Sequence, residues 1–126
     1  HAGSIQALAE RYPEMTLVGS AKALAMLPQF FRNLPRNPTL AVKEGDVLEL
    51  GTHTLHFVMA PMVHWPEVMV SYESAEKVLF SADAFGKFGA LCTDEPWTDE
   101  ARRYFLNIVG KYGTPVQTLL KKAAKL

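Results

Sequence analysis

The side chains best suited to bind a metal ion or move a proton are four histidines and the carboxylates near them. His64 lies between Pro61 and Pro66, in a segment predicted to be a loop just after a strand. Prolines restrict the backbone, and loops at strand ends often carry catalytic and metal-binding groups. By residue type alone, His64 is interpreted equally well as a structural histidine or as a ligand.

A second candidate is Asp83, which follows the short apolar segment 78–80 and precedes a loop that contains glycines. An aspartate at this position can cap a turn or bind a metal ion. An imidazole nitrogen and a carboxylate oxygen form a ligand set that suits iron, zinc or manganese.

The other candidates have simpler interpretations. His53 and His56 are three residues apart in an alternating strand, so their side chains point to opposite faces and cannot share a metal ion there. His1 precedes a predicted helix, where a terminal histidine is more often a disordered end or a tag remnant. Cys92 is a lone thiol, with no second cysteine to suggest a disulfide or thiolate site.

The hydrophobic pattern predicts a mixed chain of helices and strands. A helix, a strand and a second helix come first, the second helix capped by Ser20 and interrupted or kinked at Pro28. Antiparallel strands and two closing helices follow. The strands are predicted at 15–18, 40–42, 47–50, 52–60, 68–72 and 78–80, and the closing helices after Thr98 and Thr114. This order favours a layered α/β or α+β architecture with helices packed against a sheet.

Length and composition exclude several classes of protein. With 126 residues, 48% of them hydrophobic, the chain is one domain or part of one. Thirteen basic residues balance thirteen acidic ones, which argues against broad nucleic-acid binding. No apolar stretch is long enough for a membrane span, and no secretory leader is visible, so we expect a cytoplasmic protein. The start at a histidine just before a helix predicts that the chain is cut from something larger.

Five segments together carry a resemblance to a known family. They are HAGS at 1–4, VGSAK at 18–22, HWPE at 64–67, SADAFG at 81–86 and DEPWTDEARRYFLNIVGKY at 94–112. In order and spacing they resemble the flavodiiron proteins, in which a metallo-β-lactamase-like domain precedes a flavodoxin-like domain that binds FMN. The resemblance implies that residues 1–126 are part of the αββα metal domain, truncated at both ends, with the FMN domain outside the chain.

The resemblance also implies a set of metal ligands. His1 matches the last histidine of the family's first motif, His-x-Glu-x-Asp-His, whose earlier ligands would precede this chain. His64 matches the next ligand, Asp83 the carboxylate that bridges the two irons, and the final ligand histidine would follow residue 126. We therefore expect the His64 and Asp83 side chains to converge, with their nitrogen and oxygen atoms not much more than about 6 Å apart.

Function is implied in the same way. Flavodiiron proteins reduce dioxygen to water or nitric oxide to nitrous oxide, with electrons that FMN receives from a donor such as rubredoxin or a flavin reductase. Trp65 would contact FMN across a dimer, so a homo-oligomer is expected, without nucleic-acid or membrane partners. The 126 residues alone are expected to be inactive. The alternatives are a zinc-dependent hydrolase of the same fold and a truncated domain without catalysis.

Overall fold

A computed structural model describes residues 2–92 and 94–126, so His1 and Thr93 lie outside the described part. The chain runs through helices and strands in mixed order. The elements are α1 Ile5–Arg11, β1 Leu17–Ser20, α2 Ala21–Phe30, β2 Thr39–Val42, β3 Val47–Leu50, β4 His53–Met59, β5 Met69–Glu73, β6 Val78–Phe80, α3 Trp97–Tyr104 and α4 Gly113–Ala123. Within the described residues, no helix has the length and apolar character needed to cross a bilayer.

The strands form two sheets. β1 and β2 are parallel and are connected through α2, with Ser20 in register with Val42. β3, β4, β5 and β6 form an antiparallel sheet in chain order, in which His56 pairs with Tyr72. The predicted mixture of helices with a mostly antiparallel sheet is confirmed. The parallel pairing of β1 with β2 was not predicted, and the first strand lies at 17–20 where 15–18 was predicted.

Helix α2 begins where its cap was predicted. The Ser20 hydroxyl accepts a hydrogen bond from the Ala23 N–H at 3.1 Å, which satisfies one of the free donors of the first turn. Pro28 does not end this helix, which continues to Phe30. Proline removes one backbone donor, and near the end of a helix that loss is confined to the last turn.

The main hydrophobic core lies between the antiparallel sheet and α4. Val58, Ala60 and Val70 pack there with Leu119 of α4, and the partly buried Val63 and Val68 pack against this cluster. Full burial of a valine or leucine side chain contributes roughly 1.5–3 kcal/mol to the stability of the fold. Because positions 63 and 68 belong to the segment between β4 and β5, the core holds the loop that carries His64.

The opposite face of the antiparallel sheet is open. Leu50, Leu55, Val78 and Phe80 line a shallow, largely apolar groove of about 590 Å³ on this face. Leu50 and Phe80 are more than half exposed, at 54% and 57%. An exposed apolar surface of this kind is a typical site of contact with other protein.

The C-terminal helices differ from the prediction. The apolar stripe that runs from Ala101 to Tyr112 predicts one continuous helix after Thr98, ended by Gly113. Instead, α3 ends at Tyr104, a π-helical turn covers Phe105–Val109, and a short 3₁₀ turn covers Gly110–Tyr112. Gly113 begins α4 with a right-handed φ of −53°, so it is not the left-handed end of the preceding helix. The apolar stripe predicted a helix correctly but not its changes in winding.

One buried carboxylate organises the turn after β5. The Glu73 side chain is 8% exposed and lies 3.3 Å from His53 Nδ1. It accepts hydrogen bonds from the backbone N–H groups of Glu76 at 2.6 Å, Ala75 at 2.9 Å and Thr54 at 3.3 Å. The Glu76 N–H contributes most to lowering the pKa of Glu73 to about 2, and the remaining hydrogen bonds outweigh the opposing effect of burial.

This carboxylate should make stability depend on acidity. Between pH 4.5 and about 2, the unfolded chain binds a proton at Glu73 that the folded chain does not bind. The stabilisation is therefore complete above pH 4.5 and is lost as the pH falls towards 2. Glu73→Gln should lower the unfolding midpoint at neutral pH and flatten its decline in acid, as measured by urea unfolding across this range. The exposed Glu76→Gln is the control, and identical acid profiles for the two variants would contradict this assignment.

Candidate metal centre

His64 is held by a loop that closes on itself. At its base the Ala60 N–H donates to the Val68 carbonyl at 2.9 Å, and inside it the Met62 N–H donates to the Trp65 carbonyl at 2.8 Å. Such bonds satisfy backbone groups that would otherwise need water. The loop therefore presents His64 from a fixed frame at the end of β4.

Asp83 lies in a tight turn that follows β6. The Ala84 N–H donates to the Ser81 carbonyl, and the Gly86 N–H donates to the Asp83 carbonyl, both at 3.1 Å. A side chain on residue 86 would place its Cβ 2.9 Å from the Asp83 carbonyl oxygen. Only glycine therefore fits this turn without displacing Asp83.

The two side chains meet. His64 Nε2 lies 3.2 Å from Asp83 Oδ2, which confirms the expected convergence. The side chains are 27% and 29% exposed, respectively. The pair is thus partly shielded from water and still reachable from solvent.

A third side chain, Tyr104, completes the cluster. Its hydroxyl, at the end of α3, donates a hydrogen bond to Asp83 Oδ2 at 2.9 Å. Burial, and then the bond to and charge of Asp83, raise the pKa of Tyr104 to about 12. For Asp83, burial works in the opposite sense, but hydrogen bonds from Tyr104, the backbone and His64 leave the pKa of Asp83 below its ordinary value. Asp83 is therefore ionised at neutral pH and Tyr104 keeps its proton.

Sequence reasoning missed Tyr104, because the residue fits the apolar stripe of its helix. A tyrosine ring satisfies such a stripe while its hydroxyl still seeks a polar partner. The ring packs edge-on against Phe88, with centroids 5.4 Å apart. Its hydroxyl could have been recognised only by knowing that α3 ends beside the Asp83 turn.

The backbone on both sides of the pair is strained. Met62, Ala82 and Phe85 have left-handed φ values of 66°, 55° and 64°, a region that favours glycine. Each such conformation costs on the order of 1–3 kcal/mol, and such residues cluster at binding and catalytic sites. Here they lie within two residues of His64 or Asp83.

The remaining candidates lie elsewhere. His53 contacts Glu73, and the His56 ring lies 6.4 Å from that of Tyr72, so neither joins His64. His1 lies outside the described residues, and Cys92 is exposed. Across residues 2–92 and 94–126, no group of three or more His, Cys, Asp or Glu side chains is placed to hold one metal ion.

The His64 imidazole and the Asp83 carboxylate are suitable ligands for iron or zinc. An imidazole nitrogen and an ionised carboxylate that face each other are suitable ligands, and no thiolate is present in the pair. Trp65, the residue after His64, is 46% exposed, and the centroid of its ring lies 6.3 Å from that of Phe30. An exposed aromatic side chain therefore directly follows His64 in the chain.

The family described as "ODP family beta lactamase" matches residues 2–111. The chain belongs to this family. A nitric oxide reductase of Moorella thermoacetica is 31% identical over 133 residues, covering 100% of this chain and 33% of that protein. The structure is similar to rubredoxin oxygen:oxidoreductase from Desulfovibrio gigas, with a TM-score of 0.88 and 30% identity over 99% of this chain. It is also similar to the flavodiiron protein from Giardia intestinalis, with a TM-score of 0.84 and 27% identity over 100% of this chain.

These comparisons confirm the resemblance to flavodiiron proteins and the metallo-β-lactamase-like fold that it implied. The chain spans 33% of the Moorella protein and 33% and 32% of the two solved chains. It therefore corresponds to about a third of each of these proteins.

The turn that holds Asp83 supports a prediction. Gly86→Ala should force the Asp83 carbonyl away, because a real Cβ is essentially never found as close as 2.9 Å to another heavy atom. We expect a loss of about 1–3 kcal/mol in the free energy of unfolding, measured with urea. Gly113→Ala is the control, since nothing lies within 4 Å of its added Cβ. Equal stability of the two variants would show that the turn adapts without cost.

Proposed function

We propose that this chain is part of the metal-binding domain of a longer flavodiiron protein, with His64 and Asp83 as iron ligands and Asp83 as the bridging one. The observation that carries the proposal is the 3.2 Å approach of His64 Nε2 to Asp83 Oδ2. Two residues 19 positions apart meet there although they belong to different loops. Membership of the family supports the choice of iron, and His1 is proposed as a further ligand.

The hydrogen bonds of the pair suggest how the site would accept a cation. Because Asp83 is ionised, the proton shared with His64 belongs to Nε2, which donates it. A cation needs the lone pair of that nitrogen and would displace this proton. Tyr104 would keep Asp83 oriented meanwhile, since its hydroxyl donates to Oδ2 independently of His64.

We further propose that the complete protein reduces dioxygen to water or nitric oxide to nitrous oxide. Bound iron would supply the redox chemistry, with electrons from FMN and, before it, from a donor such as rubredoxin or a flavin reductase. The names of the Desulfovibrio and Moorella relatives, an oxygen oxidoreductase and a nitric oxide reductase, support these substrates. The exposed Trp65 is proposed to contact FMN, because its ring offers a flat, accessible surface. The location is proposed to be the cytoplasm.

Metal binding is the direct test. The purified 126-residue chain should bind ferrous iron under anaerobic conditions, and His64→Ala and Asp83→Ala should each weaken binding at least ~10–100-fold, the cost typical even of losing a residue that only orients a ligand. His53→Ala is a matched control, since this histidine contacts Glu73. Equilibrium dialysis with metal analysis gives the affinities. Equal iron affinities for the unchanged chain and all three variants would contradict the proposed site.

The identity of the metal separates the proposal from a zinc hydrolase, because the same donor set accepts zinc. Protein expressed in medium that contains both metals should retain iron if the proposal holds. Exclusive retention of zinc, with hydrolysis of an ester or lactam substrate that depends on His64, would favour the hydrolase.

The chain by itself should show no gas reduction. Catalytic metal sites usually keep at least three protein ligands, and the described residues bring two together. With ferrous iron and a chemical reductant, consumption of oxygen or nitric oxide should match that of His64→Ala. Turnover that depends on His64 would show that further ligands are supplied within or between copies of the chain.

Association between copies is also proposed. The apolar groove on the open sheet face, with Leu50 and Phe80 more than half exposed, favours burial against another protein surface. Sedimentation velocity at increasing concentration should show a self-associating chain, and Phe80→Lys should reduce this association. A strict monomer at high concentration would contradict the proposal.

A further inference from the structure

Few hydrogen bonds join the loop that carries His64 to the rest of the molecule, although Val63 of this loop packs against the core. Among the described residues, two hydrogen bonds join positions 61–67 to parts of the chain beyond the loop and its base. One is the contact of His64 with Asp83, which belongs to the site itself. The other is donated by the Ser20 hydroxyl to the Glu67 carbonyl at 2.8 Å.

Ser20 is well placed to hold the loop at the Glu67 carbonyl. It is 7% exposed and lies where β1 ends and α2 begins. Its oxygen accepts from the Ala23 N–H at 3.1 Å, so the same atom caps α2 and orients its own proton towards Glu67. Because β1 belongs to the parallel pair of strands, this hydroxyl connects that pair to the loop between β4 and β5.

The side chain of Glu67 does not provide this anchor. Its buried Oε2 has no hydrogen-bond partner among the described residues. Residue 67 is therefore held through its backbone carbonyl, three positions after His64.

From this arrangement we propose that Ser20 is a positioning residue for His64. Its hydroxyl holds the end of the loop, so that the imidazole reaches Asp83 with little freedom to move. Supporting bonds of this kind orient metal ligands and typically change affinity ~10–100-fold when removed. The link to metal binding rests on the proposed function, whereas the effect on loop order does not.

Three variants separate capping from positioning. Ser20→Thr keeps an acceptor for Ala23 and a donor for Glu67, and Ser20→Ala removes both. Ser20→Asp keeps the cap, because aspartate is among the best capping residues, but its ionised carboxylate has no proton to donate to a carbonyl.

The first readout is amide hydrogen exchange in the metal-free chain, measured by NMR. In Ser20→Asp, the Met62 and Val63 amides, both hydrogen-bonded within the loop, should exchange at least several-fold faster. The Leu27 amide in α2 should keep its protection. Ser20→Thr should match the unchanged chain at all three. Where Ser20→Asp does not fold, the same comparison between Ser20→Ala and Ser20→Thr decides, with loop exchange judged relative to α2.

The second readout is ferrous iron affinity by anaerobic dialysis. Ser20→Asp should bind iron ~10–100-fold more weakly and Ser20→Thr normally. Loop exchange unchanged in Ser20→Asp, or faster only in step with α2, would overturn the proposal, since Ser20 would then be no more than a helix cap. If the unchanged chain binds no iron, the proposed metal site fails, while the exchange experiment still tests Ser20.

Discussion

The arrangement of the candidate site depends on one carboxylate oxygen, which accepts hydrogen bonds from two distant parts of the chain. Asp83 Oδ2 lies 3.2 Å from His64 Nε2 and 2.9 Å from the Tyr104 hydroxyl. A partly buried carboxylate loses hydration and must be compensated by hydrogen bonds. The loop after β4, the turn after β6 and the end of α3 are therefore brought together around one charge.

The packing of α4 against the antiparallel sheet supports the loop that carries His64. Leu119 packs against Val58 and Val70 of the sheet, with Val63 and Val68 of the loop against the same cluster. At the edge of this core, the Lys122 ammonium group donates to the Met59 carbonyl at 2.8 Å, just before the loop begins. Apolar contacts thus set where the loop lies, and hydrogen bonds set which way His64 points.

The sequence carries information of two kinds about this site. Local patterns predicted most strands and the Ser20 cap, because alternation and capping depend on neighbours in the chain. Residue type and position after a strand also made His64 and Asp83 candidates for a site. The convergence of His64 with Asp83 was expected from the family spacing and is confirmed by the 3.2 Å distance. Their roles as ligands stay a proposal.

What could not be predicted depends on contacts between distant segments. The parallel pairing of β1 with β2 requires a partner 22 positions away, as in Leu17 with Thr39. The π-helical turn after Tyr104 is a change in winding that no apolar stripe records. Tyr104 itself has a polar function only because α3 ends at the Asp83 turn, and that placement is a property of the fold.

The contacts around the pair explain how three residues beside it keep a strained backbone conformation. Met62, Ala82 and Phe85 hold left-handed conformations on both sides of the pair, and each of these conformations costs free energy. Such strain persists only where the surroundings determine the conformation more strongly than local preference does. The closed loop around His64, the glycine-dependent turn at Asp83 and the Tyr104 hydroxyl provide those surroundings. Two side chains held in this way are already oriented, so the cation binding proposed for them would require little further ordering.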